Sequence, residues 1–176
     1  MIDGDGVNVS FTLMENYYGL LREKFQSKES DVTIPNLQAV RCIYQVLNIF
    51  QAKPPIDQSF TDDLFCDMLR EPEVTTIQAS LITTKIMMFP FFYVPDKHFL
   101  LAIILPDIPR IHFLDTRYDS NRQQFFMHLF PKFMSSYLDQ EIEWQYIWEH
   151  GEKDVQEATD SAIFVCVYMY LVMELN

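Results

Sequence analysis

Apolar residues return along the chain at two different spacings, and the spacing changes near residue 82. Phe11, Met14, Tyr17, Tyr18, Leu21 and Phe25 follow one another at three- and four-residue steps. That spacing places them on one face of a helix, with Ser10 positioned to cap its start. Residues 26–34 are polar, and Pro35 then suits a first helical position ahead of a second stripe, Leu37, Val40, Ile43, Tyr44 and Leu47. Lys53-Pro54-Pro55 breaks this helix, and Ser59 with Asp62 opens a third, short one through Leu69.

Beyond residue 82 the apolar runs are shorter and rich in β-branched and aromatic residues: 86–94, 99–105 and 110–114. They are separated by Pro95-Asp96 and by Pro106-Asp107-Ile108-Pro109, which read as tight connections between strands. Asp119 or Ser120 can cap a helix to about Leu138, with Phe125, Phe126, Leu129, Phe130, Phe133 and Tyr137 on its apolar side. A strand at 144–148 follows, then an acidic loop over 149–157. Thr159 or Asp160 caps a last helix, 161–175, which is apolar nearly all round and is therefore expected to be buried. Segregated helices and strands, without a repeat or a linker, predict one α+β domain over residues 1–176 with a mainly antiparallel central sheet flanked by helices.

Composition narrows the function. Thirteen Lys and Arg against 25 Asp and Glu give a net charge of -12, the wrong sign for binding a phosphate backbone, so nucleic acid is not an expected partner. The longest strongly apolar run, 162–173, is shorter than the roughly 20 residues a membrane span needs, so no membrane insertion is expected. Three cysteines, Cys42, Cys66 and Cys166, lack the close spacing of a zinc site or a disulfide framework. No metal and no cofactor are expected. The start of the chain has no basic and apolar leader, and the odd cysteine count suits a reducing compartment, so an intracellular location is expected, nuclear or cytoplasmic.

His98 opens a strand, Asp115 closes the next, and Thr159-Asp160-Ser161-Ala162 opens the last helix. Adjacent strands can set an imidazole beside a carboxylate, which fixes the tautomer and leaves the other ring nitrogen free to activate a nucleophile. A helix N-terminus lowers a thiol pKa and offers N–H donors to an oxyanion. Each residue also has an ordinary reading. His98 can be a polar strand end, Asp115 a turn cap, Asp160 and Ser161 an N-cap and first turn, and Gln156 a solvated side chain. Cys166, five residues into an apolar helix, reads as core.

Four segments together resemble a known family: Lys97-His98-Phe99-Leu100-Leu101-Ala102-Ile103-Ile104, Phe113-Leu114-Asp115-Thr116, Gln156, and Asp160-Ser161-Ala162-Ile163-Phe164-Val165-Cys166. They are similar, in order, to the catalytic blocks of the ubiquitin-like-protein-specific cysteine proteases, the Ulp1 and sentrin-specific protease group. The resemblance implies a papain-like or adenain-like fold with the nucleophile at the N-terminus of a buried helix. It makes His98 the general base, Asp115 its orienting carboxylate, Gln156 an oxyanion-hole donor and Ser161 the occupant of the cysteine nucleophile position. The implied partner is ubiquitin or a ubiquitin-like protein such as SUMO, cleaved after its terminal Gly-Gly.

The departures bear on activity. Phe99 stands where the family has a tryptophan and is expected to cover the substrate tail, Asn8 stands near the position of a second tryptophan, and Ala162 replaces a glycine. Gln156 is one residue closer to the nucleophile position than in the family pattern. Ser161 matters most, since a hydroxyl is far less acidic than a thiol and the chain as given is expected to be inactive or severely slowed. It is either a cysteine exchanged for serine or the mark of a natural pseudoprotease that only binds; the retention of His98, Asp115 and Gln156 favours the first. An acetyltransferase of the bacterial effector type, with His, an acidic residue and Cys in the same order, is a third reading. The acidic residues of 139–160 would complement a basic face of a partner.

Overall fold

A computed structural model describes residues 5–25, 31–35, 40, 84–138, 142–150 and 158–175. Its elements are α1 (Asp5–Phe25), β1 (Val32–Thr33), β2 (Ile86–Tyr93), a 3-10 turn (Val94–Asp96), β3 (His98–Leu105), β4 (Arg110–Asp115), α2 (Ser120–Leu138), β5 (Gln145–His150) and α3 (Ala158–Leu175). The helices predicted over 35–47 and 59–69 lie outside the described residues, apart from Pro35, which is buried but not helical, and Val40, which is helical and buried.

Among the described residues the fold is α+β, with one five-stranded sheet in the order β1-β2-β3-β4-β5. The expectation of a mainly antiparallel sheet holds for its centre only. β2 with β3 and β3 with β4 are antiparallel, joined by the tight connections that the proline-rich stretches announced. Both outer pairings, β1 with β2 and β4 with β5, are parallel, so the sheet is mixed. The physical reason lies in the connections: β4 reaches β5 through the whole of α2, and a crossover of that length returns a strand in the same direction. β1 escaped the pattern reading because two residues carry no periodicity. It is fixed instead by backbone bonds, Lys85 N and Ile86 N donating to Asp31 O, and by the Thr33 and Thr84 hydroxyls 2.8 Å apart.

β2 is buried from Met87 to Phe92, so both faces of the sheet are covered there. Pro90 is tolerated within it because β1 pairs only with Ile86 and Met87, and β3 alone flanks β2 at Pro90 among the described residues. In register, Phe91 lies beside Leu100, and Phe89 beside Ala102, whose partner on its other side is Phe113. On this face α2 packs its rings: Phe130 meets Phe91 and Phe113 edge-on at 5.2 and 5.6 Å, and Phe126 lies 5.4 Å from Phe91. Trp148 of β5 closes the layer 4.9 Å from Phe113. The opposite face, with Met88, Phe92, Phe99 and Leu101, is buried as well, and α3 packs against β3 and α1.

Two helix starts differ from expectation. α1 begins at Asp5, so Ser10 lies inside the helix rather than capping it, while Met14, Tyr18, Leu21 and Phe25 form the buried stripe as predicted. α3 begins at Ala158, so Thr159 and Asp160 are helical and Ser161 is the fourth residue of the helix. Nor is α3 buried all round: Ala162, Val165, Cys166, Met169 and Met173 face inward, while Ile163, Phe164, Val167, Tyr170 and Leu171 are exposed. Among the described residues only one side of α3 is packed, by α1 and β3, and a uniformly apolar sequence does not reveal which side that is.

Candidate active site

Strand alternation puts Asp115 inside. Ile111, Phe113 and Asp115 share the buried face of β4, while Arg110, His112 and Leu114 are half-buried. The carboxylate therefore enters the protein at the end of the aromatic layer, with no exposed side-chain surface. β3 begins opposite it. The 3-10 turn and Lys97, at φ 53°, reverse the chain between β2 and β3, so that Tyr93 pairs with His98. A lysine in the left-handed region costs about 1 kcal/mol or more, and it delivers His98 into the site at the first position of its strand.

His98 Nε2 and Asp115 Oδ1 are 2.7 Å apart, both buried. Thr116 Oγ1 lies 3.3 Å from the same ring nitrogen. With Nε2 donating to the carboxylate, the neutral ring carries its proton there and Nδ1 is the basic nitrogen. Burial alone would raise the Asp115 pKa; the hydrogen bonds from His98 and Arg122, the Arg122 charge and the N–H of Arg117 outweigh it and hold the carboxyl below its ordinary value. Asp115 stays ionised, as an orienting partner for an imidazolium must.

Ser161 is fully buried in the first turn of α3. Its Oγ accepts a hydrogen bond from the backbone N–H of Phe99, at 3.0 Å. The fold thus brings together the start of β3, the end of β4 and the first turn of α3: His98 bonds Asp115, 17 residues away, and the residue after His98 bonds Ser161, 62 residues away. Asp160 is exposed.

Two expectations from the resemblance meet the structure differently. Gln156 lies outside the described residues. Phe99 takes part through its backbone, because its ring is wholly buried and packs 4.7 Å from Phe92, leaving no exposed surface to lay over a substrate tail. Cys166, read as core, is core: it sits on the inner side of α3 with Sγ 3.7 Å from Met14 Sδ, and burial pushes its thiol up to about 12. His112 is half-buried and lies 3.3 Å from Glu149 on β5. No group of His, Cys, Asp and Glu among the described residues is arranged to hold a metal ion, and no described helix is long and apolar enough to cross a membrane.

Sequence reading missed the second half of the site. Arg122 of α2 is fully buried, and its Nε donates to Asp115 Oδ2 at 2.8 Å. Its two terminal nitrogens bond Asp96 Oδ2 and, at 2.5 Å, Arg117 O. Arg117 also reaches Asp96 Oδ2, at 3.1 Å, and its N–H donates to Asp115 Oδ1. A signal existed: Arg122, Phe126 and Phe130 fall at four-residue steps, so the arginine lies on the apolar stripe of a helix whose start Asp119 caps, Oδ1 accepting from Arg122 N at 2.8 Å.

No family model and no curated protein matches the chain. Solved structures do. A de-sumoylating protease superposes with a TM-score of 0.54 at 13% identity, over 97% of this chain and 62% of that one. The SUMO protease Ulp1 with its catalytic cysteine oxidised to a sulfinic acid gives 0.48 at 12% identity, over 79% and 66%. The Ulp1-like SUMO protease catalytic domain of Chaetomium thermophilum gives 0.44 at 15%, over 78% and 59%. The chain spans roughly three fifths to two thirds of the length of these structures. At this identity the likeness is one of fold, carried by the first of the three: the chain has the α+β fold of the de-sumoylating protease.

Proposed function

We propose that the chain is a peptidase-type domain that recognises ubiquitin or a ubiquitin-like protein, such as SUMO, by its C-terminal Gly-Gly, with Ser161 in the position of a cysteine nucleophile. The observation that carries this reading is the His98–Asp115 bond at the start of the strand whose next residue, Phe99, donates to Ser161 in the first turn of α3, in a fold shared with a de-sumoylating protease. Acyl transfer needs a base, a carboxylate that orients it and a nucleophile within reach of the base, and in this reading His98, Asp115 and position 161 take those roles. With cysteine at position 161, His98 Nδ1 would take the thiol proton and the thiolate would attack the carbonyl carbon of the last glycine. The tetrahedral oxyanion would then be held by N–H groups at the start of α3 and by Gln156. Collapse expels the amine, which takes the proton from His98, and leaves a thioester that water hydrolyses by the same base.

With Ser161 the first step is slow, because the hydroxyl is far less acidic than a thiol and the imidazole of a thiol protease is not matched to it. The chain as given therefore binds its modifier and cleaves it poorly or not at all. The bond from Phe99 N–H to Ser161 Oγ favours this binding reading, since it stabilises the hydroxyl oxygen in place without making it a better nucleophile. Calorimetric titration tests recognition. Ubiquitin and each ubiquitin-like protein are titrated as full-length and as Gly-Gly-less forms; the expected result is binding of one of them, at least tenfold weaker without the tail. No binding by any, with the fold intact, overturns modifier recognition.

A further inference from the structure

The guanidinium of Arg122 has no exposed surface and lies on the same helical stripe as Phe126 and Phe130. A buried arginine is rare, because taking its charge and five donors out of water is costly unless each finds an acceptor. An apolar residue would fill that stripe at lower cost. What the arginine adds is a set of three bonds in one plane: Nε to Asp115 Oδ2, one terminal nitrogen to Asp96 Oδ2 and the other to Arg117 O.

These bonds fall on both neighbours of His98. Asp115 uses Oδ2 for Arg122 and Oδ1 for His98 Nε2, so the carboxylate cannot rotate toward another partner without breaking a charge-assisted bond. Asp96 stands two residues before His98, across the left-handed Lys97, in a turn whose backbone is unfavourable on its own. Arg122 and Arg117 both hold it, through the same oxygen. The imidazole thus sits between a fixed carboxylate and a fixed turn, and both are fixed by one side chain.

We propose that Arg122 is a positioning residue that sets the orientation and tautomer of His98, through Asp115 on one side and through the Asp96 turn on the other. The proposal rests on the reading of His98 as the base, but what it asserts about the ring is independent of any substrate. The charged groups around His98 are Asp115 against the ring, Arg122 behind Asp115, and Asp96 with Arg117 at the turn. Lysine does not replace arginine here. Its ammonium is a single point on a flexible stem, and it cannot meet Asp115, Asp96 and the Arg117 carbonyl in one plane.

The test is the pair of His98 ring ¹⁵N signals, recorded on the full chain and assigned by their loss in His98→Ala. In the unaltered protein with the ring neutral, one protonated and one unprotonated nitrogen are expected, the signature of a single Nε2–H tautomer. In Arg122→Lys the two shifts should move toward each other, with the amide spectrum elsewhere retained. A single unchanged tautomer in folded Arg122→Lys overturns the proposal. If Arg122→Lys does not fold, Asp96→Asn reads the same arrangement from its half-exposed end and should shift the ring signals in the same sense by a smaller amount; unchanged signals there overturn it as well. Neither readout involves a modifier, so failure of modifier recognition leaves this result standing, and the converse also holds.

Discussion

The sheet face beneath α2 changes character along its length. Its middle is a layer of rings, Phe91, Phe113, Phe126, Phe130 and Trp148. One helical turn before Phe126, it becomes a cluster of the buried Arg122, Asp115 and His98 with the half-exposed Asp96. The ring layer is held by contacts that many apolar side chains of similar volume can make. In the cluster each charge has its partner, and removing one strands another in a medium that solvates it poorly. The first region makes the fold; the second uses the rigidity of that fold to aim an imidazole.

That difference is measurable by substitution, with stability read from denaturant midpoints. Arg122→Met should cost the most, about 3–5 kcal/mol, because it strips the fully buried Asp115 carboxylate of its cation and leaves Asp96 with Arg117 alone. Phe99→Ala should cost roughly 3 kcal/mol, the range for a ring removed from a core, and the loss should appear in folding rather than in modifier affinity per folded molecule. Phe130→Leu should cost about 1 kcal/mol, since the layer can repack around a smaller apolar group. If Phe130→Leu is as damaging as Arg122→Met, the contrast between the two regions is lost. Glu149→Gln, at the exposed end of the His112 pair, should cost less than about 1 kcal/mol.

The cluster also carries a pH signature. The folded pKa of Asp115 lies below its ordinary 3.8, so its ionised form stabilises the fold at higher pH. That contribution is complete above the ordinary value and is lost as pH falls through the lower, folded one. Stability of the unaltered protein should therefore decline with acid below about pH 4, and Asp115→Asn should decline less steeply over the same range. Equal slopes would mean that Asp115 is not held as described.

How much of this was legible in the sequence follows from what each feature depends on. The α1 stripe, the three central strands, the Asp119 cap and the placement of Asp115 on the inner side of β4 all follow from local periodicity and turn chemistry. The direction of β5 and the existence of β1 depend on pairing between segments distant in the chain, which periodicity does not encode. The exposed side of α3 is invisible in a helix that is apolar all round, because amphipathic contrast is the only sequence sign of orientation. At the site, the places of His98, Asp115 and Ser161 at element ends and the resemblance mark these residues; the structure bonds His98 to Asp115, and Ser161 to the backbone of Phe99. Phe99 was assigned by analogy to a substrate contact, yet its ring is in the core. Arg122 was passed over because a cation near a helix start reads as surface, although its step of four from Phe126 placed it inside.

The central claim is that His98, held by Asp115, serves a nucleophile at position 161. It is tested most directly by Ser161→Cys treated with electrophilic Gly-Gly probes of ubiquitin and of ubiquitin-like proteins, with the modified residue located by fragmentation mass spectrometry. The account predicts covalent labelling at position 161 by one of these probes, none at Cys166, whose buried thiol is pushed up to about 12, and loss of labelling when His98→Ala is added. Labelling that persists in full without His98, or a position 161 thiol that takes an acetyl group from acetyl-coenzyme A and reacts with no modifier probe, would contradict it.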